Sequence, residues 1–533
     1  MKSNPGIKLT LLAAIVGMTL AAWSTRLGPG VGGDATIYLT SAQNLAKGIG
    51  LGLVQPDGSF RLLPYSAPLF PLILSPFSAV QLDLTVVSRW FNILLFGGLI
   101  FLIGFSSLKA FGGNWIAILP AWLAACSPIL LPVYSWAMAE PVTMLLGFAG
   151  LILILGHLDE PYPNRWSWPE WAGLLLGLAA AARYSAAAFL AAGAVICLFW
   201  PAWPFYKRLL TAFRTGLVGI IPLGIWVLVQ IGQTASVSAR SMLTIAEMGG
   251  RFMLFWPQFV SAMLVWLLPA SFQEGLSYPM WIQAVPVVFF LFILAAGSIW
   301  VNVKGQNKLT GRLVNMLWIF AGIYSAVLLL VYLTTYPPIT IDNRMLSPVH
   351  IAVIWIAAVL LISLWGEPEN KTWQIVFALA MLVFVGWYGW RTVRIVRQNA
   401  ETGLGYNSIA WQQSKIIAAV KAIPESQNLV TNETMALLYL TGRVAKPVGE
   451  IYADKPVYPF SRYGDGPEGN DPAEAEFKKG DSLLVVFNSL ENQFESIYGD
   501  RAKERAETFV NGLRVDAFGD DGAIYDYPVD YSK

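Results

Sequence analysis

Apolar residues run along this chain in blocks of about 20, separated by short polar or proline-rich stretches, through the first 395 of its 533 residues. A block of that length is what a helix needs to cross the hydrocarbon core of a bilayer. The pattern predicts membrane-spanning helices near 7–23, 85–108, 114–132, 138–157, 170–186, 187–204, 210–231, 280–302, 314–335, 347–365 and 372–392. The first follows Lys2 and Lys8, and with no small-x-small cleavage site beside it, it reads as a span rather than a signal peptide. Residues 24–84 and 232–279 do not fit a single span and are expected to form an outer loop and an outer segment. From 396 onward the period changes. Helical pieces at about 408–422 and 493–512 alternate with short strand-like runs at Asn428–Val430, Ser482–Phe487 and Ala523–Tyr527, the pattern of a small α/β domain.

Phe252–Phe272 admits two readings. As a span it makes twelve and puts Lys304, Lys308 and Arg312 outside; as a re-entrant or interfacial helix it leaves eleven, with those bases inside beside Lys2, Lys8, Lys109, Lys207, Arg208 and Arg214. The positive-inside rule favours eleven. An odd number places 396–533 outside the cytoplasm, with Arg391, Arg394 and Arg397 an exception near its root. The expectation is therefore an α-helical polytopic membrane protein of about eleven transmembrane helices, residues 1–395, carrying a small extracytoplasmic soluble α/β domain, residues 396–533, in the plasma or inner membrane.

Composition agrees with this division. Charged residues are 13% of the chain, about half of what soluble proteins carry. Residues 396–533 hold 21 acids against 14 bases, net −7, while residues 1–395 hold 12 against 21, net +9. A soluble enzyme, a disordered protein and a nucleic-acid binder are excluded. Two cysteines, Cys126 and Cys197, lie in apolar runs and define neither a disulfide framework nor a zinc site. The only histidines are His157 and His350, which nearly excludes His-based metal or triad chemistry.

Acids are so scarce in 1–395 that each is informative, because ionisable groups at membrane depth are costly. Asp34, Asp57, Asp83, Glu140, Glu247, Glu274 and Asp342 fall at the outer face; Asp159, Glu160, Glu170, Glu367 and Glu369 fall inside. Asp34, in Gly32-Gly-Asp-Ala-Thr-Ile-Tyr38, precedes a short amphipathic helix from Ile37 to Leu45 and reads either as its N-cap or as a functional carboxylate. Glu140, in Ala139-Glu-Pro141, is either a first-turn acid before an N1 proline or a second site carboxylate. Arg183 interrupts an apolar stretch where two short spans meet, and must snorkel or find an anion. Arg344, in Asp342-Asn-Arg-Met-Leu-Ser-Pro348, is either paired with Asp342 or suited to grip a phosphate bidentately. Tyr38, Tyr65, Tyr134, Trp136, Tyr332 and Tyr336 read most simply as interfacial belt residues. Two carboxylates and two arginines from four segments thus share one face.

In this order and sidedness the motifs resemble those of the polytopic GT-C glycosyltransferases, the superfamily of the protein O-mannosyltransferases and the lipid A aminoarabinose transferase. Gly33-Asp-Ala-Thr-Ile-Tyr38 with Ala42 to Gly48, Tyr65-Ser-Ala-Pro-Leu-Phe-Pro71, Ala139-Glu-Pro141, Ala182-Arg-Tyr184 and Asp342 to Pro348 carry the likeness across residues 1–365. Many members have an Asp-Glu pair where this chain has Asp34-Ala35, which weakens metal coordination there. The resemblance implies transfer of a sugar from a polyprenyl-phosphate donor to an acceptor hydroxyl on a lipid, protein or glycan, with inversion. Asp34 would be the base, with Glu140 orienting acceptor or sugar, or helping to hold a divalent cation if one is used. Arg183 and Arg344 would bind the donor phosphate, and Tyr38, Tyr65 and Asp342 would line the substrate pocket. A glycolipid transporter or flippase, or a non-catalytic subunit of a membrane complex, is the alternative; no inverted repeat supports the first.

Overall fold

A computed structural model describes residues 5–63, 66–158, 166–199, 203–234, 241–242, 245–268, 279–304, 308–336, 339–365, 371–448 and 476–528. Tyr65, Asp159, Glu160, Glu274, Glu367 and Glu369 lie outside the described residues. The chain divides into two units: Met1–Pro29 with Pro64–Glu401, and Gly30–Leu63 with Thr402–Lys533. Residues 30–63, expected as part of a loop of the membrane domain, therefore pack with the C-terminal residues.

In chain order the helices up to residue 402 are α1 (Pro5–Ser24), α2 (Gly33–Ala46), α3 (Leu69–Ala79), α4 (Leu84–Ala110), α5 (Leu119–Ala125), α6 (Leu130–Tyr134), α7 (Glu140–His157), α8 (Trp168–Ala182), α9 (Ala187–Phe199), α10 (Phe205–Thr234), α11 (Ile245–Leu267), α12 (Met280–Lys304), α13 (Lys308–Thr334), α14 (Asn343–Trp365) and α15 (Lys371–Thr402). Among the described residues, α1, α4, α7, α10, α12, α13 and α14 are long and apolar enough to cross a membrane. The protein is thus a polytopic helical membrane protein. The ambiguous Phe252–Phe272 stretch lies largely in α11, a 23-residue helix.

The run at 114–132, expected as one span, breaks into a 3-10 turn at Trp115–Ile118 followed by α5 and α6. Pro128 disfavours helical backbone at Ser127. Ser127 Oγ then accepts from the backbone N–H groups of Ile129 and Leu130 at 3.3 and 3.1 Å and starts α6 afresh.

The core of this first unit rests on aromatic and small residues. Phe148 of α7, Phe189 of α9 and Phe320 of α13 meet with ring centroids 4.2 to 5.3 Å apart. Between α8 and α10 there is no room for side chains: a Cβ on Gly173 would collide with the Thr215 carbonyl, and one on Gly177 with the Gly219 carbonyl. Small residues four apart allow this backbone approach, and dispersion rather than hydrophobic transfer then holds the helices in lipid. At the end of the bundle away from Glu140, Glu170 Oε2 accepts from Ser167 N–H at 2.9 Å and Oε1 pairs with Arg214 Nε at 2.5 Å.

The second unit contains a five-stranded sheet. Its strands are β5 (Asn428–Thr431), β6 (Lys446–Pro447), β7 (Ser482–Phe487), β8 (Arg514–Gly519) and β9 (Gly522–Asp526), in the order β6-β5-β7-β9-β8. β5 runs parallel to both β6 and β7, while β9 is antiparallel to β7 and β8. Its helices are α16 (Ile409–Gln412), α17 (Lys415–Ala422), α18 (Thr434–Thr441), α19 (Ser489–Tyr498) and α20 (Ala502–Val510). Ile416, Ile417 and Val420 of α17 bury against Leu429, Val485 and Ile524 of the sheet. Two short strands, β1 (Gly52–Val54) and β2 (Phe60–Leu62), form a hairpin that packs with α2, and in the first unit β3 (Ser241–Met242) pairs antiparallel with β4 (Thr335–Tyr336).

The segment 30–63 joins this domain through backbone as well as side chains. Val31 bridges Gly405, and Tyr406 N–H donates to the Val31 carbonyl at 2.8 Å. Gly405 has φ +54°, and a Cβ there would run into the Val31 carbonyl, so the close approach requires glycine. Tyr406 is anchored in turn: burial and the neighbouring Glu433 carboxylate push its phenol above the usual tyrosine range. α2 packs on α18, with Gly33 facing Met435.

Candidate active site

Three of the four segments singled out in the sequence converge in the first unit. Glu140 opens α7, with Pro141 beside it, and its side chain is only 4% exposed. A lone carboxylate so deeply buried would be prohibitively costly. Arg183 and Arg344 answer that cost. Arg183 Nη1 is in ion-pair contact with Glu140 Oε1, and Arg344 Nε lies 3.5 Å from the same oxygen. Glu140 Oε2 is buried with no hydrogen-bond partner among the described residues.

Each arginine is delivered by a break in regular structure. The apolar run from Trp168 to Phe199 is interrupted at Arg183, whose extended backbone (φ −156°, ψ 128°) ends α8; a 3-10 turn at Tyr184–Ala186 then leads into α9. The guanidinium meets an anion rather than snorkelling, and its Nη2 also points at Met345 Sδ at 2.6 Å. Arg344 stands in the first turn of α14. Asp342 caps that helix, its Oδ1 accepting from Met345 N–H at 2.8 Å, while Oδ2 lies 3.9 Å from Arg344 Nε. The local Asp342–Arg344 pair therefore exists but is the longer contact; Glu140 is the nearer partner.

Arg344 is one-third exposed and lines a cavity of about 470 Å³ walled by Ile129, Val133, Trp136, Met138 and Val265, with Asp342 and Asn343 at its edge. The cavity is apolar apart from these groups. It suits an amphipathic ligand with a charged head at the arginine.

Asp34 and Tyr38 belong to the second unit. The helix they sit on begins four residues earlier than expected, at Gly33, so Gly32 is the N-cap and Asp34 lies in the first turn, with its side chain exposed. Asp34 is not the capping residue, although its charge still favours the positive end of the helix dipole. Tyr38 is buried at 7% exposure, and Tyr134 and Tyr332 at 1% and 3%; none of these three is a belt residue.

Sequence reasoning missed one residue that shapes the site. Asn92, inside the apolar α4, donates from Nδ2 to the carbonyls of Trp136 and Met138 at 2.7 and 3.3 Å, fixing the loop that delivers Glu140. An amide in the middle of a 27-residue apolar helix was the available signal. Among the described residues no three His, Cys, Asp or Glu side chains gather to hold a metal. Both guanidiniums approach Glu140 at Oε1, while Oε2 has no partner among the described residues.

The chain is similar in structure to ArnT from Cupriavidus metallidurans bound to undecaprenyl phosphate, at 13% identity over 98% of both chains with a TM-score of 0.54. It is also similar to the arabinofuranosyltransferase AftD from Mycobacteria, at 16% identity over 98% of this chain and 40% of that one, with a TM-score of 0.54. The apo oligosaccharyltransferase of Archaeoglobus fulgidus aligns at 10% identity over 90% of this chain and 70% of that one, with a TM-score of 0.51. No family model and no curated protein matches the sequence.

Proposed function

We propose that this chain, which carries the fold of the GT-C glycosyltransferases, moves a sugar from a polyprenyl-phosphate donor to an acceptor hydroxyl at the outer face of the membrane. The observation that carries the reading is the Glu140–Arg183–Arg344 cluster beside an apolar cavity. The donor's lipid is apolar and its phosphate anionic, which is the chemistry that such a cavity selects. ArnT, of the same fold, was captured with undecaprenyl phosphate bound.

In this reading Arg344, and Arg183 behind it, hold the donor phosphate. The acceptor oxygen attacks the anomeric carbon through an oxocarbenium-like state, the bond from that carbon to the phosphate oxygen breaks, and configuration inverts in the single displacement. The leaving phosphate takes the bonding electrons, and positive charge already aimed at it stabilises the transition state without reorganisation. The acceptor's proton goes to a carboxylate. Asp34 is assigned that role by its motif and by its exposed position in the first turn of α2. Glu140, held as a counter-ion, is not available as a base; in this reading it helps to orient the sugar or acceptor.

The test is a transfer assay with purified full-length protein in nanodiscs, supplied with polyprenyl-phosphate sugars and followed by release of polyprenyl phosphate. Release that depends on both Asp34 and Arg344 is the expected result. Movement of intact glycolipid across the bilayer with no cleavage would replace this reading with that of a flippase.

A further inference from the structure

Asn343 and Arg344 are adjacent at the start of α14, yet different helices hold their side chains. Arg344 reaches Glu140 on α7, whereas Asn343 Oδ1 accepts from the indole Nε1–H of Trp266 at 2.8 Å. Trp266 lies in the last turn of α11, buried, with its ring edge-on to His350 of α14 at a centroid distance of 4.9 Å. That end of α11 is itself clamped. Arg391 of α15, also buried, donates to the carbonyls of Val265 and Trp266 at 2.7 and 3.5 Å. A guanidinium on the last carbonyls of a helix sits at the negative end of its dipole, so the contact is favourable as well as directional.

About two turns earlier on α11, Gln258 accepts from Ile341 N–H at 3.1 Å and donates to Tyr332 Oη at 3.2 Å. The stretch from Ile341 to Arg344 is therefore gripped by α11 at two points. A second cavity, of about 560 Å³, shares Val265, Asp342 and Asn343 with the one that Arg344 lines. Asn343 stands where the two meet.

We infer that Trp266 is a positioning residue for Arg344: its N–H fixes Asn343, and through it the first turn of α14 that aims the guanidinium into the cavity. The inference rests on the reading of Arg344 as the phosphate-binding residue. Trp266→Phe keeps an aromatic ring on the side of His350, removes the donor and shortens the side chain, so Asn343→Ala is needed beside it to isolate the hydrogen bond. Asn343→Ala removes the acceptor from the other side, at a half-buried position that tolerates truncation.

The experiment measures equilibrium binding of undecaprenyl phosphate to the full chain in nanodiscs. Trp266→Phe and Asn343→Ala are each expected to bind roughly 3–10-fold more weakly, the effect of losing one intramolecular hydrogen bond. In an Arg344→Ala background, Trp266→Phe should add less than about twofold, because the residue it aims is gone. Equal loss from Trp266→Phe in both backgrounds, or wild-type binding by Trp266→Phe and Asn343→Ala while Arg344→Ala is weakened, overturns the positioning role alone. Wild-type binding by Arg344→Ala overturns the phosphate reading, and the positioning role with it.

Discussion

Glu140→Gln is the perturbation with the most to say about the site. The amide keeps the shape of the carboxylate and removes the charge that Arg183 and Arg344 share. Breaking a buried ion pair by removing one partner costs roughly 3–5 kcal/mol, because the remaining charge is stranded. Arg183 keeps 15% of its side-chain surface and Arg344 a third, so solvent screens part of this, and about 2–4 kcal/mol is the reasoned loss. Replacing the pair together, as Glu140→Gln with Arg183→Met, strands only the better solvated Arg344 and should recover most of the stability, since removal of both partners of a buried pair is often neutral. Transfer should be lost in both variants, the recovery being one of stability alone. Unfolding can be followed with a thiol-reactive dye in a Cys126→Ser background, because Cys126 is partly exposed whereas Cys197 in α9 is fully buried and becomes labelled only when that helix opens. The expected order of midpoints is wild type, then the double variant, then Glu140→Gln well below both. A Glu140→Gln protein that melts with the wild type, or a double variant no more stable than the single one, would refute the claim that the carboxylate exists to hold these arginines.

Asp34→Asn should express and fold normally, since the amide keeps the size and the accepting oxygen of the carboxylate at the start of α2, while transfer falls by roughly 10²–10⁴-fold; near-native turnover in a folded variant would remove Asp34 from the mechanism. Arg344→Ala should impair donor use more than Arg344→Lys, which loses the bidentate fork but keeps the charge, as read from the donor concentration giving half-maximal rate. A reporter fused after Lys533 should be active only outside the cytoplasm, as eleven spans require; activity in the cytoplasm would reverse the assignment of every outer motif.

Much of the site was legible from where charge interrupts apolar sequence. Arg183 stands out because it is the only charged residue between Glu170 and Lys207, and its extended backbone between two helices is the local form that the interruption takes. Glu140 was legible for the same reason. Asn92 was not, because a neutral amide in a long apolar helix perturbs hydropathy little, although its hydrogen bonds fix the loop before Glu140. Trp266 reads in sequence as one more aromatic near a helix end; only its partner Asn343 distinguishes it.

The sequence by itself determined most of the long apolar helices and the change of character after residue 395. Both are local matters: about 20 apolar residues suffice to define a span, and strand alternation needs only a few. Partnership was decided by the tertiary structure. Arg344 had an adjacent acid in Asp342, yet its nearer counter-ion is Glu140, two hundred residues away in the chain. Residues 30–63 follow the first helix in sequence, yet they pack with the C-terminal domain through the Val31–Gly405 bridge and the α2–α18 contact. Charge and hydropathy along the chain say which residues must find partners; which partners they find depends on how helices many residues apart pack, and no local pattern encodes that.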